Sequence, residues 1–230
     1  MRARALVAEA LGTTFLLAAV VGSGIMGEQL AGGNVAIALL ANTLATGAAL
    51  VALILTFGPI SGAHFNPVVS IADASQGGIT WGVAAQYVAV QIIGALVGVA
   101  IAHLMFAQPI YAVSTHARAG ISQAFSESVA TFGLLSVIWG CSRRHPTLVA
   151  FAVGAYITAA YWFTASTSFA NPAVTIARTL TDSFAGIRPA DAPGFIVAQL
   201  IGASASTIAF RWLVPALPNT ADQVVLPREQ

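Results

Sequence analysis

The stretch SFANPAVTIAR, residues 168–178, places an asparagine–proline pair inside a sequence that is otherwise strongly apolar. A second stretch, SGAHFNPVVS at residues 61–70, contains the same pair. Asparagine is a favoured N-cap, and proline at the first helical position loses no hydrogen bond, so each pair predicts the start of a helix. The segments that follow, Asn66 to Ser75 and Asn171 to Phe184, are too short to cross a bilayer. They are predicted to be re-entrant half-helices.

The composition of the chain is that of an integral membrane protein. Of its 230 residues, 57% are hydrophobic and 7% are charged, with a mean hydropathy of +0.84, whereas about a quarter of the residues in a soluble domain are charged. The nine basic residues are all arginines and are scattered among eight acids, so no basic surface is available for nucleic acid. The single cysteine, Cys141, has no partner at metal-ligand spacing. No metal or cofactor is expected.

Six apolar segments are long enough to cross the hydrocarbon layer, which takes roughly 20 helical residues. They run from Ala5 to Met26, Val35 to Phe57, Trp81 to Phe106, Ile121 to Cys141, Thr147 to Phe163 and Gly194 to Trp212. The sequence therefore predicts six transmembrane helices that use the lipid bilayer as their solvent.

The arginines in short loops set the expected orientation, because such loops are enriched in basic residues on the cytoplasmic side. With the amino terminus inside, the cytoplasmic arginines are Arg2, Arg4, Arg143, Arg144, Arg211 and Arg228. The outside arginines are then Arg118, Arg178 and Arg188. Six spans return the carboxyl terminus to the cytoplasm, so both termini are predicted to be cytoplasmic.

The chain contains an internal repeat. EALGTTFLL from Glu9 matches ESVATFGLL from Glu127, QIIGA from Gln91 matches QLIGA from Gln199, and FNPVV matches ANPAV. The halves, about 1–106 and 121–217, each hold three spans and one half-helix, and an odd number of spans makes the repeat inverted. We expect one domain over residues 1–217 and a polar cytoplasmic tail over residues 218–230.

These duplicated motifs, together with the six spans, closely resemble the aquaporin (major intrinsic protein) family. The resemblance implies an all-α membrane fold of six transmembrane helices and two re-entrant half-helices. It also implies a homotetramer in which each monomer has its own pore. The protein is then expected to be a channel rather than an enzyme and to lie in the inner membrane of a bacterium. The sequence has no HExxH or GxSxG motif and no paired intramembrane aspartates, which agrees with a non-enzyme.

The resemblance assigns the centre of the pore to the two asparagine–proline motifs, Asn66, Pro67, Val68 and Asn171, Pro172, Ala173. Both asparagines are expected to point their amides at the passing solute. The amino termini of the two half-helices each carry about half a positive charge, and they are expected to repel cations. The valine in the first motif either narrows this junction or only changes its packing.

The resemblance also assigns an outer selectivity filter to four positions, Thr46, Ala159, Ser168 and Val174. The family usually has an arginine directly after the second motif and aromatic or histidine partners on the spans. This chain has valine there and small side chains at the other positions. We expect a wider, arginine-free filter that is not strict for water. In lacking this arginine, the chain resembles a bacterial branch of the family that is associated with arsenic resistance.

Arg178 at the outer mouth has two interpretations. It follows Val174 by four residues, so it lies about 6 Å further along nearly the same helix face, where it could attract anions. Alternatively it is an ordinary arginine near a helix carboxyl terminus, paired with Asp182 at i+4.

Three further polar residues lie within or beside the predicted spans. An acid inside a membrane is costly and is a functional candidate by default. The resemblance instead implies that Glu9 and Glu127 accept hydrogen bonds from the re-entrant loops, with proton relay as the alternative. His64 is expected to pack beside the pore and help to hold its loop, with pH gating as the alternative.

The expected function is a passive channel for small uncharged solutes, including water, glycerol, urea and arsenous acid. One alternative is a water-selective channel. Another is an ion-coupled secondary transporter, a class that also uses inverted repeats and broken helices, with Glu9 or Glu127 as the proton carrier.

Overall fold

A computed structural model describes residues 2–214, except the side chains of residues 143 and 144. The eight α-helices in this part of the chain are α1 (Arg2–Leu30), α2 (Val35–Ser61), α3 (Pro67–Gln76), α4 (Trp81–Met105), α5 (Ile121–Arg144), α6 (Val149–Phe163), α7 (Pro172–Ala177) and α8 (Ala192–Leu213). The predicted cytoplasmic tail, residues 218–230, lies outside the described residues.

Six helical segments in the described part of the chain are long and apolar enough to cross a membrane, which confirms the predicted number of spans. The fifth of them, Pro146–Phe163, consists of α6 and the 3-10 turn Pro146–Leu148 that precedes it. Several helices are longer than the apolar segments that predicted them. The first begins at Arg2 and ends at Leu30, and the second continues to Ser61. Helices extend beyond the hydrocarbon layer until a cap or turn ends them, and Asn34 caps α2 by accepting hydrogen bonds from two amides of its first turn.

Both half-helices are present, but the second is shorter than the sequence predicts. Helix α3 ends at Gly77 in a left-handed C-cap with a φ of 85°. Helix α7 has only six residues and continues as a 3-10 turn over Arg178–Leu180, not to Phe184. The chain leaves the helix here because the Arg178 carbonyl accepts a hydrogen bond from the distant Ile187 amide.

The two halves of the chain repeat the same order of elements, so α1 to α4 correspond to α5 to α8. Within each half the first and last helices pack closely, α1 on α4 and α5 on α8. Glycines allow this approach. A Cβ atom added at Gly94 would lie 2.4 Å from the Ala10 carbonyl oxygen, and one at the equivalent Gly202 would lie 2.2 Å from that of Ser128. Helices α2 and α6 join the halves.

Candidate functional site

The two half-helices meet end to end at Asn66 and Asn171. The Asn66 Nδ2 donates to the Ala170 carbonyl over 2.8 Å, and the Asn171 Nδ2 donates to the Phe65 carbonyl over 2.8 Å. Each asparagine therefore binds the residue that directly precedes the other. Because an amide nitrogen carries two hydrogens, each asparagine keeps one further donor after making this bond.

The direction of both amides is fixed by helix capping. The Asn66 Oδ1 accepts from the Val68 amide at 3.1 Å, and the Asn171 Oδ1 accepts from the Ala173 and Val174 amides at 3.0 and 3.3 Å. Since each oxygen faces its own helix, the attached NH2 group must face away from it. The arrangement presents hydrogen-bond donors, not acceptors, at the junction.

Glu9 holds the loop that precedes α3. Its Oε1 accepts from the Ser61 hydroxyl at 2.6 Å and the His64 amide at 2.9 Å. Its Oε2 accepts from the Phe65 amide at 2.7 Å and the Gln91 side chain at 2.8 Å. A fully buried carboxylate with four donors is satisfied in place. This loop needs such an anchor because Phe65 has a left-handed φ of 49°.

Glu127 makes the equivalent contacts in the second half of the chain. It accepts from the amides of Phe169 and Ala170 at 2.8 and 2.9 Å and from the Gln199 side chain at 2.6 Å. The loop here is also strained, with a φ of 47° at Ala170. Both glutamates therefore act on the two loops in the same way.

A cavity runs past the two asparagines between the two halves. Its wall is mostly apolar, and the lining residues that sequence reasoning singled out are Thr46, His64, Asn66, Ser168, Asn171, Val174 and Arg178. The remaining lining residues are Leu16, Val20, Leu50, Ile54, Ala63, Phe65, Val69, Leu134, Ile138, Val153, Ile157, Tyr161 and Phe169. An apolar wall with a few polar groups offers a solute few but well-defined hydrogen-bond partners.

Three of the four expected filter positions line this cavity. Thr46 is buried on α2, and its hydroxyl accepts a 3.3 Å hydrogen bond from Tyr161 on α6. Val174 is buried on α7. The Ser168 hydroxyl is buried and has no hydrogen-bond partner within the described residues. Ser168 thus keeps a polar group for whatever occupies the cavity.

The fourth position, Ala159, does not face the cavity. Its side chain is exposed on the outer face of α6, while Ile157 and Tyr161 form the cavity wall. Residues two apart on a helix differ in direction by about 200°, so a position near Tyr161 in sequence lies on the opposite face. The α6 residue that lines the cavity near this position is Tyr161 and not Ala159, so this part of the wall is aromatic rather than small.

The remaining residues of the two asparagine–proline motifs support the helix starts. Pro67 and Pro172 are the first residues of α3 and α7, and both are buried. Val68 is fully buried and borders a groove beside α8, outside the cavity wall. Its extra methyl groups, relative to the Ala173 of the second motif, therefore change packing and do not narrow the cavity.

The structure contradicts the expected pairing of Arg178 with Asp182. The Arg178 side chain is only 2% exposed and lines the cavity. It does not pair with Asp182, whose carboxylate accepts from the Thr115 amide and hydroxyl. Instead its Nε donates to the Ala185 carbonyl. The cavity therefore contains an arginine although the residue directly after the second motif is valine.

His64 and Asp73 form a buried pair that the sequence reasoning missed. The His64 Nε2 lies 3.5 Å from the Asp73 Oδ2, and its Nδ1 lies 3.0 Å from the Ser70 hydroxyl. The signal was available, because an acid within an apolar half-helix requires a partner. His64 is thus held from both ring nitrogens while it borders the cavity.

Arg118 is a second residue that the sequence reasoning did not connect with the pore. It belongs to the segment between α4 and α5. Its Nε donates to the carbonyl of Gly186, between α7 and α8, at 2.8 Å. Its guanidinium carbon lies 5.2 Å from the centroid of the Phe169 ring, within cation–π range. No local sequence pattern predicts this contact, because it joins segments far apart in the chain.

Two acids tie together the loop between α4 and α5 and the loop between α7 and α8. Hydrogen bonds from the amide and hydroxyl of Thr115 lower the pKa of Asp182. A hydrogen bond from Arg188, with a further one from the Arg118 amide, lowers the pKa of Asp191. Each ionised carboxylate therefore links the α4–α5 segment to the chain between α7 and α8.

Comparisons with known proteins agree with this architecture. Residues 1–147 match the sequence profile of the family described as Major intrinsic protein. The chain is 55% identical over 216 residues to the aquaglyceroporin AqpS of Rhizobium meliloti (strain 1021), covering 94% of this chain and 92% of that protein. It is 30% identical over 220 residues to the probable aquaporin NIP7-1 of Arabidopsis thaliana, covering 90% and 76%. The X-ray structure of the aquaglyceroporin from Plasmodium falciparum superposes with a TM-score of 0.72 at 20% identity, covering 94% of this chain and 99% of that one, and shows the same fold.

Proposed function

The chain belongs to the major intrinsic protein family, and from this premise we propose that it is a passive channel for small uncharged solutes, namely water, glycerol or urea, and arsenous acid. The observation that carries the proposal is the cavity bordered by Asn66 and Asn171, each with one amide hydrogen left after its bond to the opposite loop. A solute with hydroxyl groups can accept from both asparagines in turn while its carbon skeleton contacts the apolar wall.

The filter that we propose consists of Thr46, Ser168, Val174 and Tyr161. Val174 contributes no charge and no donor, and the free Ser168 hydroxyl contributes one hydrogen-bonding group. Glycerol and un-ionised arsenous acid each carry three hydroxyl groups and no net charge, so the same few donors suit both. The name of the Rhizobium relative, an aquaglyceroporin, supports glycerol as a solute.

The contacts of the two buried glutamates argue against an ion-coupled transporter. Both oxygens of Glu9 and both oxygens of Glu127 accept hydrogen bonds that hold the re-entrant loops. Neither residue belongs to the cavity wall as described. A proton carrier must exchange its proton with the pathway, and these carboxylates face loop amides instead.

We further propose a homotetramer in a bacterial inner membrane with both termini cytoplasmic. The distribution of arginines over the loops supports the orientation. Many large apolar side chains on the outer faces of the spans are exposed, among them Phe15, Leu44, Phe125 and Ile208. Such faces are suited to lipid and to neighbouring copies of the chain.

Flux measurements in vesicles test the proposed function. The protein is reconstituted, and stopped-flow light scattering follows shrinkage and re-swelling in matched gradients of sucrose, glycerol and arsenous acid. We expect fast water, glycerol and arsenous acid fluxes in the wild type. Val174→Arg should reduce the solute fluxes, because a long charged side chain would enter the filter.

Val174→Leu is the matched control, because it adds volume without charge. Empty vesicles give the background. Rapid water flux without glycerol or arsenous acid flux would make the protein a water-selective channel. Solute uptake that collapses with the proton gradient would favour a secondary transporter.

A further inference from the structure

Arg178 is held rigidly at the cavity wall by two segments that pack around it. Its Nε donates to the Ala185 carbonyl. Its guanidinium carbon lies 3.4 Å from the centroid of the Phe169 ring, and that ring in turn packs edge-to-face on Phe195 of α8 at 5.2 Å. The Phe169 amide is bonded to Glu127. The guanidinium is therefore positioned by the same loop that carries the second asparagine–proline motif.

One end of this guanidinium has no hydrogen-bond partner within the described part of the chain. The Nη1 of Arg178 is buried and makes no hydrogen bond to any described residue. A buried charged donor without an acceptor is costly, so a structure that retains one needs an acceptor from elsewhere. Because Arg178 lines the cavity, the available acceptor is an oxygen of the molecule that occupies the cavity.

The position of Arg178 explains how it reaches the filter from outside the motif. It lies one turn after Val174, and helical side chains tilt toward the amino terminus of their helix. The guanidinium lies over the ring of Phe169, which directly follows the filter residue Ser168. The Tyr161 hydroxyl interacts with the guanidinium and also donates to Thr46. Arg178 thus shares one level of the cavity with the proposed filter residues.

The charge of Arg178 is not cancelled by a contacting acid. Among the described residues, the two ion pairs are His64–Asp73 and Arg188–Asp191, and neither includes Arg178. A second guanidinium, that of Arg118, lies over the same Phe169 ring. An unpaired positive charge at a narrow apolar constriction raises the energy of any cation there.

We propose that Arg178 is the selectivity-determining cation of this pore, excluding cations and donating through Nη1 to a hydroxyl oxygen of a neutral solute. This inference rests on the proposed channel function and refines its filter. The second motif has no arginine, but the pore still has a fixed positive charge. Arg178 supplies this charge from one turn further along the chain.

The test compares Arg178→Gln with Arg188→Gln in vesicles. Arg188 is the matched control, because its exposed side chain pairs with Asp191 outside the cavity. Cation entry is read as potassium flux with a potential-sensitive dye, and glycerol and water fluxes are read by stopped flow. We expect Arg178→Gln to raise potassium flux by about tenfold, and Arg188→Gln to match the wild type.

A rescue variant separates charge from general damage. In Val174→Arg combined with Arg178→Gln, the guanidinium returns to the filter one turn deeper, and we expect the potassium flux to fall back toward the wild-type value. Folded Arg178→Gln that excludes potassium as well as the wild type does would overturn the inference. Wild-type vesicles without any solute flux would contradict the proposed channel function itself.

Arg178→Lys keeps the inference testable where the glutamine variant does not fold. Lysine keeps the charge but loses the planar fork and the stacking on Phe169. We expect potassium exclusion to persist and the ratio of glycerol to water flux to fall by about threefold. An unchanged ratio would show that Nη1 makes no contribution to solute selection.

Discussion

The Tyr161 hydroxyl on α6 donates to the Thr46 hydroxyl on α2 over 3.3 Å, and both residues line the cavity. This bond fixes the rotation of α6, so that Ile157 faces the cavity and Ala159 faces outward. A large side chain should therefore act differently at these two positions. We expect Ile157→Phe to reduce glycerol flux strongly and Ala159→Phe to leave it unchanged.

Stopped-flow measurements on the two variants, reconstituted at equal protein density, decide the point. Gel filtration in detergent checks that each variant keeps the assembly state of the wild type. A loss of flux in Ala159→Phe with none in Ile157→Phe would mean that α6 is rotated relative to this structure.

Glu127 should be essential for stability because it satisfies loop amides that have no other acceptor. The Phe169 amide donates to one Glu127 oxygen and the Ala170 amide to the other, so in Glu127→Gln the new NH2 group faces one of these two backbone donors, which loses its acceptor. Leaving a buried donor unsatisfied costs about 1–3 kcal/mol. We expect a clearly lower unfolding midpoint in detergent, followed by tryptophan fluorescence, and a reduced water flux.

Glu28→Gln is the control for that experiment. Glu28 is exposed and accepts a 3.1 Å hydrogen bond from the Phe184 amide. Exposed substitutions usually change stability by less than about 0.5 kcal/mol, so its midpoint should stay near the wild-type value. Equal midpoints for both variants would remove the special role of Glu127.

The features that the sequence predicted correctly are those governed by local rules. Apolar length alone gave the six spans. Asparagine as a cap and proline as the first helical residue gave the starts of α3 and α7, which lie at Pro67 and Pro172. The duplication of these motifs gave the inverted repeat. None of these inferences needs knowledge of which residues meet in space.

The features that the sequence did not predict depend on tertiary contacts. Helix α7 ends early because the Arg178 carbonyl bonds to Ile187. The α6 side chains that line the cavity depend on helix rotation: Ala159, which was expected there, faces outward, while Tyr161, two residues later, lines the wall. Arg178 and Val174, which the spacing related, both line the cavity. The direction of the Arg178 side chain, however, is set by Phe169 and Ala185, which the spacing does not include.

Acid should loosen the contact that Asp182 makes between the α4–α5 loop and the chain between α7 and α8. The pKa of this carboxyl is lowered in the folded protein by hydrogen bonds from Thr115. Because the pKa is lower in the folded protein, the stabilisation by the ionised carboxylate is complete above the ordinary aspartate pKa of about 3.9. It is lost as the pH falls through the pKa of the folded protein. The Thr115 amide should therefore lose protection below about pH 4.

Hydrogen exchange measures this directly, with rates corrected for the intrinsic effect of pH. In Asp182→Ala, which removes the acceptor of both Thr115 hydrogen bonds, we expect weak protection of Thr115 already at pH 6 and little further change on acidification. The Arg118 amide is an internal control, because it donates to Asp191 and not to Asp182. Unchanged protection of Thr115 in the variant at pH 6 would show that the carboxylate does not hold the loop.

The close approach of α5 and α8 predicts that Gly202 cannot be replaced without separating these helices. A Cβ atom at this position would lie 2.2 Å from the Ser128 carbonyl oxygen and 3.0 Å from the Phe132 nitrogen, both of which are backbone atoms that cannot rotate away. Overpacking of this kind costs about 1–3 kcal/mol.

Gly194→Ala is the matched control on the same helix, because its Cβ would meet no atom within 4 Å. Alanine there should be neutral or slightly stabilising, since glycine is about 1 kcal/mol poorer in a helix. Thermal unfolding of both variants in detergent at one scan rate should lower the midpoint for Gly202→Ala only. Equal midpoints would mean that the two helices can move apart at little cost, and that the duplicated glycines do not set the spacing of the first and last helices within each half.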